Sequence, residues 1–188
     1  MRRLLFARLP GPARLFCVSI PNIFLVGPMG SGKSAVGRRL ARLLGREFFD
    51  SDEIIEARTG VDIPFIFEKE GEAGFRKREQ AVIDEISARD GVVFATGGGA
   101  VLVPENRAHL ASRGTVVYLH TSVGQQLRRT RGDKRPLLNQ GRRKAVLTEL
   151  MEVREPMYRQ LADLLIATDG RSVAAVAAEI REKLGGEG

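Results

Sequence analysis

The chain has 188 residues, 43% of them hydrophobic, and a formal charge of +7, which suits one domain with a full core and excludes a disordered chain. No apolar run reaches the roughly 18 residues of a membrane span, and a single cysteine, Cys17, excludes an internal disulfide framework and suits a reducing, cytoplasmic compartment. With His109 and His120 as the only histidines, no Cys/His metal cluster can be assembled.

Residues 1–20 are a basic arm with Arg2, Arg3, Arg8 and Arg14 and no acid. That is the composition of a transit peptide, but serine is scarce and Pro10-Gly11-Pro12 interrupts any helix. The arm reads as flexible, or as a start lying upstream of the true one, and a single domain is expected over 21–188. There, "NIFLV" (22–26) predicts a buried parallel strand, followed by a glycine loop and a helix marked by Val36, Leu40, Leu43 and Leu44, with Gly45 as its cap. "EFFD" (47–50) predicts a second strand. Residues 52–90 read as an insert of two or three helices broken at Gly60, Pro64 and Gly71. "VVFAT" (92–96) predicts the third strand, and a helix runs from Pro104 to Gly114. "TVVYLH" (115–120) predicts the fourth strand, with a helix over about 122–130. The basic, glycine-containing segment 131–143 reads as a mobile loop, followed by a helix over about 143–162, a fifth strand "LLIAT" (164–168) and a closing amphipathic helix through Val173, Val176, Ile180 and Leu184. Strands alternating with helices predict an α/β fold, a three-layer α/β/α sandwich around a five-stranded parallel sheet.

The chemistry starts at "GPMGSGKS" (27–34), which fits G-x-x-x-x-G-K-[ST] between a strand and a helix. Gly27, Gly30 and Gly32 let backbone N–H groups turn toward phosphate, Lys33 reaches the β and γ phosphates, and Ser34 supplies a hydroxyl to Mg²⁺. ATP-type binding by Gly30, Ser31, Gly32, Lys33, Ser34 and Ala35 is therefore expected, aided by the helix N-terminus. Asp50 and Asp52 follow the second strand, at the sheet edge where ligands of such folds sit. Read as extended chain, they are expected to face different ways, one holding Mg²⁺ through water and the other meeting an acceptor hydroxyl; the alternative is that one only caps the next helix. Arg76 and Glu79 have i,i+3 spacing, which suits either an ordinary surface pair or an arginine held ready for an anionic substrate. The basic loop either closes over the phosphates as a lid, excluding water, or is a solvated surface loop. Arg154 precedes Pro156 at an expected kink, where it can cap carbonyls or bind a ligand. The "TGGGAV" stretch loses much backbone freedom on folding, so something is expected to approach its bare backbone at Gly97, Gly98 and Gly99.

In order, "GPMGSGKS", "DSD", "GFRKRE", "TGGGAV", "KRPLL" and "REPMY" resemble the shikimate kinase family of P-loop kinases, from about Asn22 to Leu184. That resemblance implies transfer of the γ-phosphoryl of ATP, with Mg²⁺, to the 3-hydroxyl of shikimate in aromatic amino acid synthesis, by a monomer. It implies that residues 52–90 bind substrate and 131–143 form the lid. Lys33 and Ser34 would hold phosphate and magnesium, Asp50 would support the magnesium, and Asp52 would bind the shikimate hydroxyls and orient or deprotonate the attacking one. Arg76 and Arg154 would grip the carboxylate, and Phe67 and Phe75 would wall the ring. Arg135 would meet the γ-phosphate, Arg129 would pack on adenine and Arg171 would contact the nucleotide. "ATDGRSV" lacks the proline associated with the adenine pocket. Two alternatives are another small-molecule kinase, such as a gluconate kinase, and a nucleotide switch or nucleic-acid binder. The guanine-reading N-K-x-D of a switch is missing, and no tryptophan offers a stacking platform.

Overall fold

A computed structural model describes residues 21–130 and 143–185. The arm 1–20 and all of the expected lid except Arg143 lie outside the described residues. Strands β1 (Asn22–Val26), β2 (Phe48–Asp50), β3 (Val93–Ala95), β4 (Gly114–His120) and β5 (Leu164–Ala167) form a parallel sheet in the order β2-β3-β1-β4-β5. The central strand is buried at every position, which is why it reads as a continuous apolar run. Successive side chains alternate across the sheet. Phe24, Val26, Phe94, Val116 and Tyr118 enter one core, and Ile23, Leu25, Val93, Val117 and Leu119 enter the other.

Helices α1 (Lys33–Leu44) and α7 (Val173–Gly185) cover the second core through Val36, Leu40, Val176 and Ile180. The first core is covered by α2 (Ser51–Thr59), α3 (Ile63–Ser87), α4 (Pro104–Arg113) and α6 (Arg143–Leu161), through Ile55, Ile83, Leu110 and Tyr158. The remaining helix, α5 (Val123–Arg129), packs on α6. Each fully buried large apolar side chain contributes roughly 1.5–3 kcal/mol, so both faces of the sheet are anchored. At the amino edge, Asn22 Nδ2 donates to the carbonyls of Ser87 (3.1 Å), Arg89 (2.5 Å) and Arg113 (3.2 Å), tying β1 to the ends of α3 and α4.

The insert follows the expected pattern with one correction. Gly60 closes α2 in the left-handed region (φ 71°), and Gly71 interrupts α3 from within (φ 69°, ψ −176°). Pro64 starts α3 rather than breaking a helix, because its missing N–H is one the first turn leaves unpaired anyway. Pro156 lies inside α6, which runs on to Leu161. Among the described residues, no helix is long and apolar enough to cross a membrane.

Candidate active site

The chain order reverses at β1, with β3 on one side and β4 on the other, and the loop after β1 sits at that switch point on the carboxyl edge, where such sheets bind ligands. Gly30 (φ 74°) and Gly32 (φ 96°) take left-handed conformations there, turning the loop into α1. Among the described residues no side chain caps the α1 N-terminus, whereas Asp50, Asp62 and Ser122 cap α2, α3 and α5. The first-turn N–H groups of α1 are thus left for an anion. Lys33 Nζ donates to the carbonyls of Gly27 (2.8 Å) and Pro28 (2.9 Å), folding over the loop.

A cleft of about 280 Å³ opens here, lined by Met29, Gly30, Gly32, Lys33, Ser34, Ala35, Asp50, Asp52, Thr96, Gly97, Gly98 and Arg129. Ser34 Oγ donates to Asp50 Oδ2 at 2.6 Å, while Asp50 Oδ1 accepts from the Asp52 N–H at 3.0 Å. Asp50 therefore caps α2, one of the alternatives the sequence offered, and also accepts from the phosphate-loop serine. Two adjacent hard oxygen donors fit a magnesium ion that keeps most of its water and is completed by phosphate. The expectation that Asp50 and Asp52 face different ways is corrected, since residues two apart point to one face even on an extended chain. The chain is already helical from Ser51, and both acids line the same cleft.

The glycine turn has a second correction. A Cβ on Gly97 would overlap Glu79 Oε1 and lie 3.2 Å from Asp52 Oδ1, and one on Gly99 would overlap the Arg76 guanidinium. The bare backbone thus makes room first for the protein's own ion pair. Only Gly98, whose Cβ would lie 3.4 Å from Met29 N, faces the phosphate loop. Arg76 Nη1 donates to Glu79 Oε2 at 2.6 Å, with the two side chains 14% and 0% exposed. The pair is therefore buried rather than an ordinary surface bridge. Glu79 Oε1 has no hydrogen-bond partner among the described residues. Burial pushes the Glu79 carboxyl up to about 7 from an ordinary 4.5, against the opposing charges of Arg76 and Arg154 and with help from Asp52.

That shift has a sign in stability. Between pH 4.5 and about 7 the folded state holds a proton that the unfolded chain has released, so stability is fully present below the lower value and is lost as pH rises through the upper one. The loss from this group is about 3 kcal/mol across the window. Urea midpoints at about pH 5 and about pH 8 should differ less in Glu79→Gln than in the unaltered chain. An equal difference in the two proteins would show that Glu79 does not titrate there.

Arg154, on α6, is 5% exposed and lines a small cavity with Pro28, Met29, Gln126, Leu147, Leu150 and Met151, against the phosphate loop. Its charge acts on Glu79 and Tyr158, so Arg76, Glu79 and Arg154 form one electrostatic group beneath the glycine turn. Phe67 and Phe75 pack with their rings tilted by 36° and centroids 4.8 Å apart, and Phe75 is buried in the core. Neither they nor Arg76 and Arg154 line the main cleft. Arg129 Nη1 donates to Gly30 O (3.0 Å) and Thr168 Oγ1 (3.2 Å) and its Nη2 to Thr168 O (3.0 Å), tying the phosphate loop to the end of β5. Arg171 pairs with Glu179 at 2.5 Å and donates to Ala167 O, away from the cleft lining. Arg135 lies outside the described residues. Two participants were not read from the sequence. Ser51 Oγ accepts from Gly97 N–H at 2.8 Å, and the Tyr158 hydroxyl donates to the Gly98 carbonyl. The signal for Tyr158 was at hand, four residues after Arg154 in "REPMY".

A protein-family model for shikimate kinase matches residues 29–185. The chain is similar to a shikimate kinase of Halorhodospira halophila (strain DSM 244 / SL1), 60% identical over 88% of this chain and 94% of the relative. Among solved structures it resembles shikimate kinase from Acinetobacter baumannii in complex with shikimate, at 50% identity and TM-score 0.87, covering 89% and 94% of the two chains. A gluconokinase from Sinorhizobium meliloti 1021 aligns at 16% identity and TM-score 0.51, over 89% and 97%, a likeness of fold alone.

Proposed function

The chain belongs to the shikimate kinase family, and from that premise we infer how its residues divide the work of moving the γ-phosphoryl of ATP to the 3-hydroxyl of shikimate. The observation that carries the assignment is the single cleft into which the uncapped start of α1, Lys33, Ser34, Asp50 and Asp52 all open beside Gly97 and Gly98. The N–H groups from Gly30 to Ala35 take the phosphates, and Lys33 swings from its carbonyls to the β and γ oxygens. Ser34 and Asp50 would hold the magnesium ion. When bound, the ion neutralises charge on the phosphates.

Asp52 orients the 3-hydroxyl and receives its proton as the new O–P bond forms and ADP leaves. Arg76, fixed by Glu79, and Arg154 take the shikimate carboxylate; two guanidinium forks suit a planar anion. Phe67 and Phe75 support the ring side of that site from behind. Arg135, outside the described residues, meets the γ-phosphate when residues 131–143 close as a lid, and their closure keeps water from the triphosphate. Arg129 stiffens the phosphate loop at the adenine side, and Arg171 contacts the nucleotide more remotely, its guanidinium being engaged by Glu179. We place the enzyme in the cytoplasm as a monomer.

A coupled assay of ADP release with ATP and Mg²⁺, run with shikimate and gluconate side by side, tests this reading. Shikimate-dependent release with none above background on gluconate is the expected result. No release with shikimate would end the assignment.

A further inference from the structure

The glycine turn has three carbonyls, and two are taken by backbone. Gly97 O accepts from Ala100 N–H (3.2 Å) and Gly99 O from Leu102 N–H (3.0 Å). The Gly98 carbonyl is held instead by the hydroxyl of Tyr158. The peptide joining Gly98 to Gly99 has no Cβ on either side, so it can rotate about its flanking bonds at little steric cost. A trans peptide points its C=O and N–H in opposite directions, and the chain has no cis bonds among its described residues. Whatever fixes the Gly98 carbonyl therefore also fixes the Gly99 N–H. Among the described residues, neither the Gly98 nor the Gly99 N–H donates to the protein, whereas the Gly97 N–H is spent on Ser51.

We propose that Tyr158 is a positioning residue for the acceptor: its hydroxyl locks the Gly98–Gly99 peptide against flipping and keeps the Gly99 N–H turned away from α6, where it can donate to a substrate carboxylate held at Arg76, whose guanidinium lies against Gly99. The ring is held in place, 0% exposed and stacked on Tyr118 with centroids 5.0 Å apart and planes 23° from parallel. Burial pushes the Tyr158 phenol well above its usual range, so it remains a donor. Tyr158 lies four residues after Arg154, on the same face of α6. One helix thereby sets both the carboxylate-binding arginine and the backbone donor. The inference rests on the kinase reading above.

Tyr158→Phe keeps the stacked ring and removes the hydroxyl. Tyr118→Phe is its control, because Tyr118 is equally buried and its hydroxyl has no partner among the described residues. Because the Tyr158 hydroxyl also meets the Arg154 side chain, Tyr158→Phe is repeated on Arg154→Ala. Its effect on shikimate should persist there if it acts through Gly98 and vanish if it acts through Arg154, the second result overturning the proposal. Losing a buried bond and orphaning its carbonyl should raise the shikimate KM and the calorimetric Kd of Tyr158→Phe about tenfold. Its ATP KM should stay within about twofold, and Tyr118→Phe should match the unaltered enzyme in all three. Unchanged shikimate affinity in Tyr158→Phe, or equal losses for shikimate and ATP with a fall in Tm, would overturn the proposal. If the unaltered enzyme turns over a different hydroxylated carboxylate, the substrate assignment fails alone. The same ratio, measured with that acceptor, still decides the role of Tyr158.

Discussion

Replacing Asp52 with Asn is expected to lower kcat with shikimate by about three orders of magnitude, while the Kd for ATP-Mg²⁺ stays within about twofold. The substitution is nearly isosteric and keeps an oxygen to accept a hydrogen bond, so it tests proton acceptance rather than shape. Asp52 lies beside the glycine turn, with Oδ1 3.2 Å from where a Gly97 Cβ would sit. Its backbone N–H, bound by Asp50, is untouched, and the lost charge near the start of α2 costs only about 0.3–1 kcal/mol of helix stability. Steady-state kinetics with nucleotide calorimetry make the check. A matching loss of ATP affinity would place Asp52 on the nucleotide instead, and a fall of less than about tenfold would leave it as an orienting group only.

Arg154→Ala should act in the other direction, on the acceptor. Removing a bidentate, charge-assisted contact to a carboxylate is expected to lower kcat/KM for shikimate by about two to three orders of magnitude. The Kd for ATP should stay within about threefold, although Arg154 touches the back of the phosphate loop. Because the side chain is buried beside Glu79, the variant also loses stability, so Arg154→Lys is its companion. The lysine keeps the charge near Glu79 and gives up the fork. It should restore Tm more completely than shikimate affinity. Equal recovery of both would mean that Arg154 serves the fold and not the substrate.

Much of this site was legible because its chemistry is local. The phosphate loop needs its glycines, Lys33 and Ser34 within a few residues of one another, between a strand and a helix, and the strands announce themselves as short apolar runs. Asp50 could be placed at the sheet edge, but its double engagement, capping α2 while accepting from Ser34 sixteen residues away, depends on packing. What was hidden depended on packing. An i,i+3 pair looks the same in sequence whether it is solvated or buried, so the depth of Arg76 and Glu79 had no local signature. Nor could spacing reveal that Gly97 and Gly99 yield space to that pair, since the partners lie about twenty residues upstream in another helix. The direction of Asp52 was misjudged because residues two apart share a face even on an extended chain, and the chain in any case turns helical at Ser51. Arg129 was assigned to adenine by resemblance alone; its contacts with Gly30 and Thr168 come from helix α5 meeting the end of β5 and have no local signature.

The clearance at Gly97 and Gly99 also bears on how this sequence can change over generations. A side chain at either glycine collides with Glu79 or Arg76 unless that partner swings aside and breaks the pair, or shortens first. A shortened partner, in turn, leaves a buried charge uncompensated until its mate is lost as well. No single step out of this arrangement is neutral, and the effects of paired steps will not add. The helix and the turn, far apart in the chain, are therefore inherited as one unit, with drift permitted around them and not within.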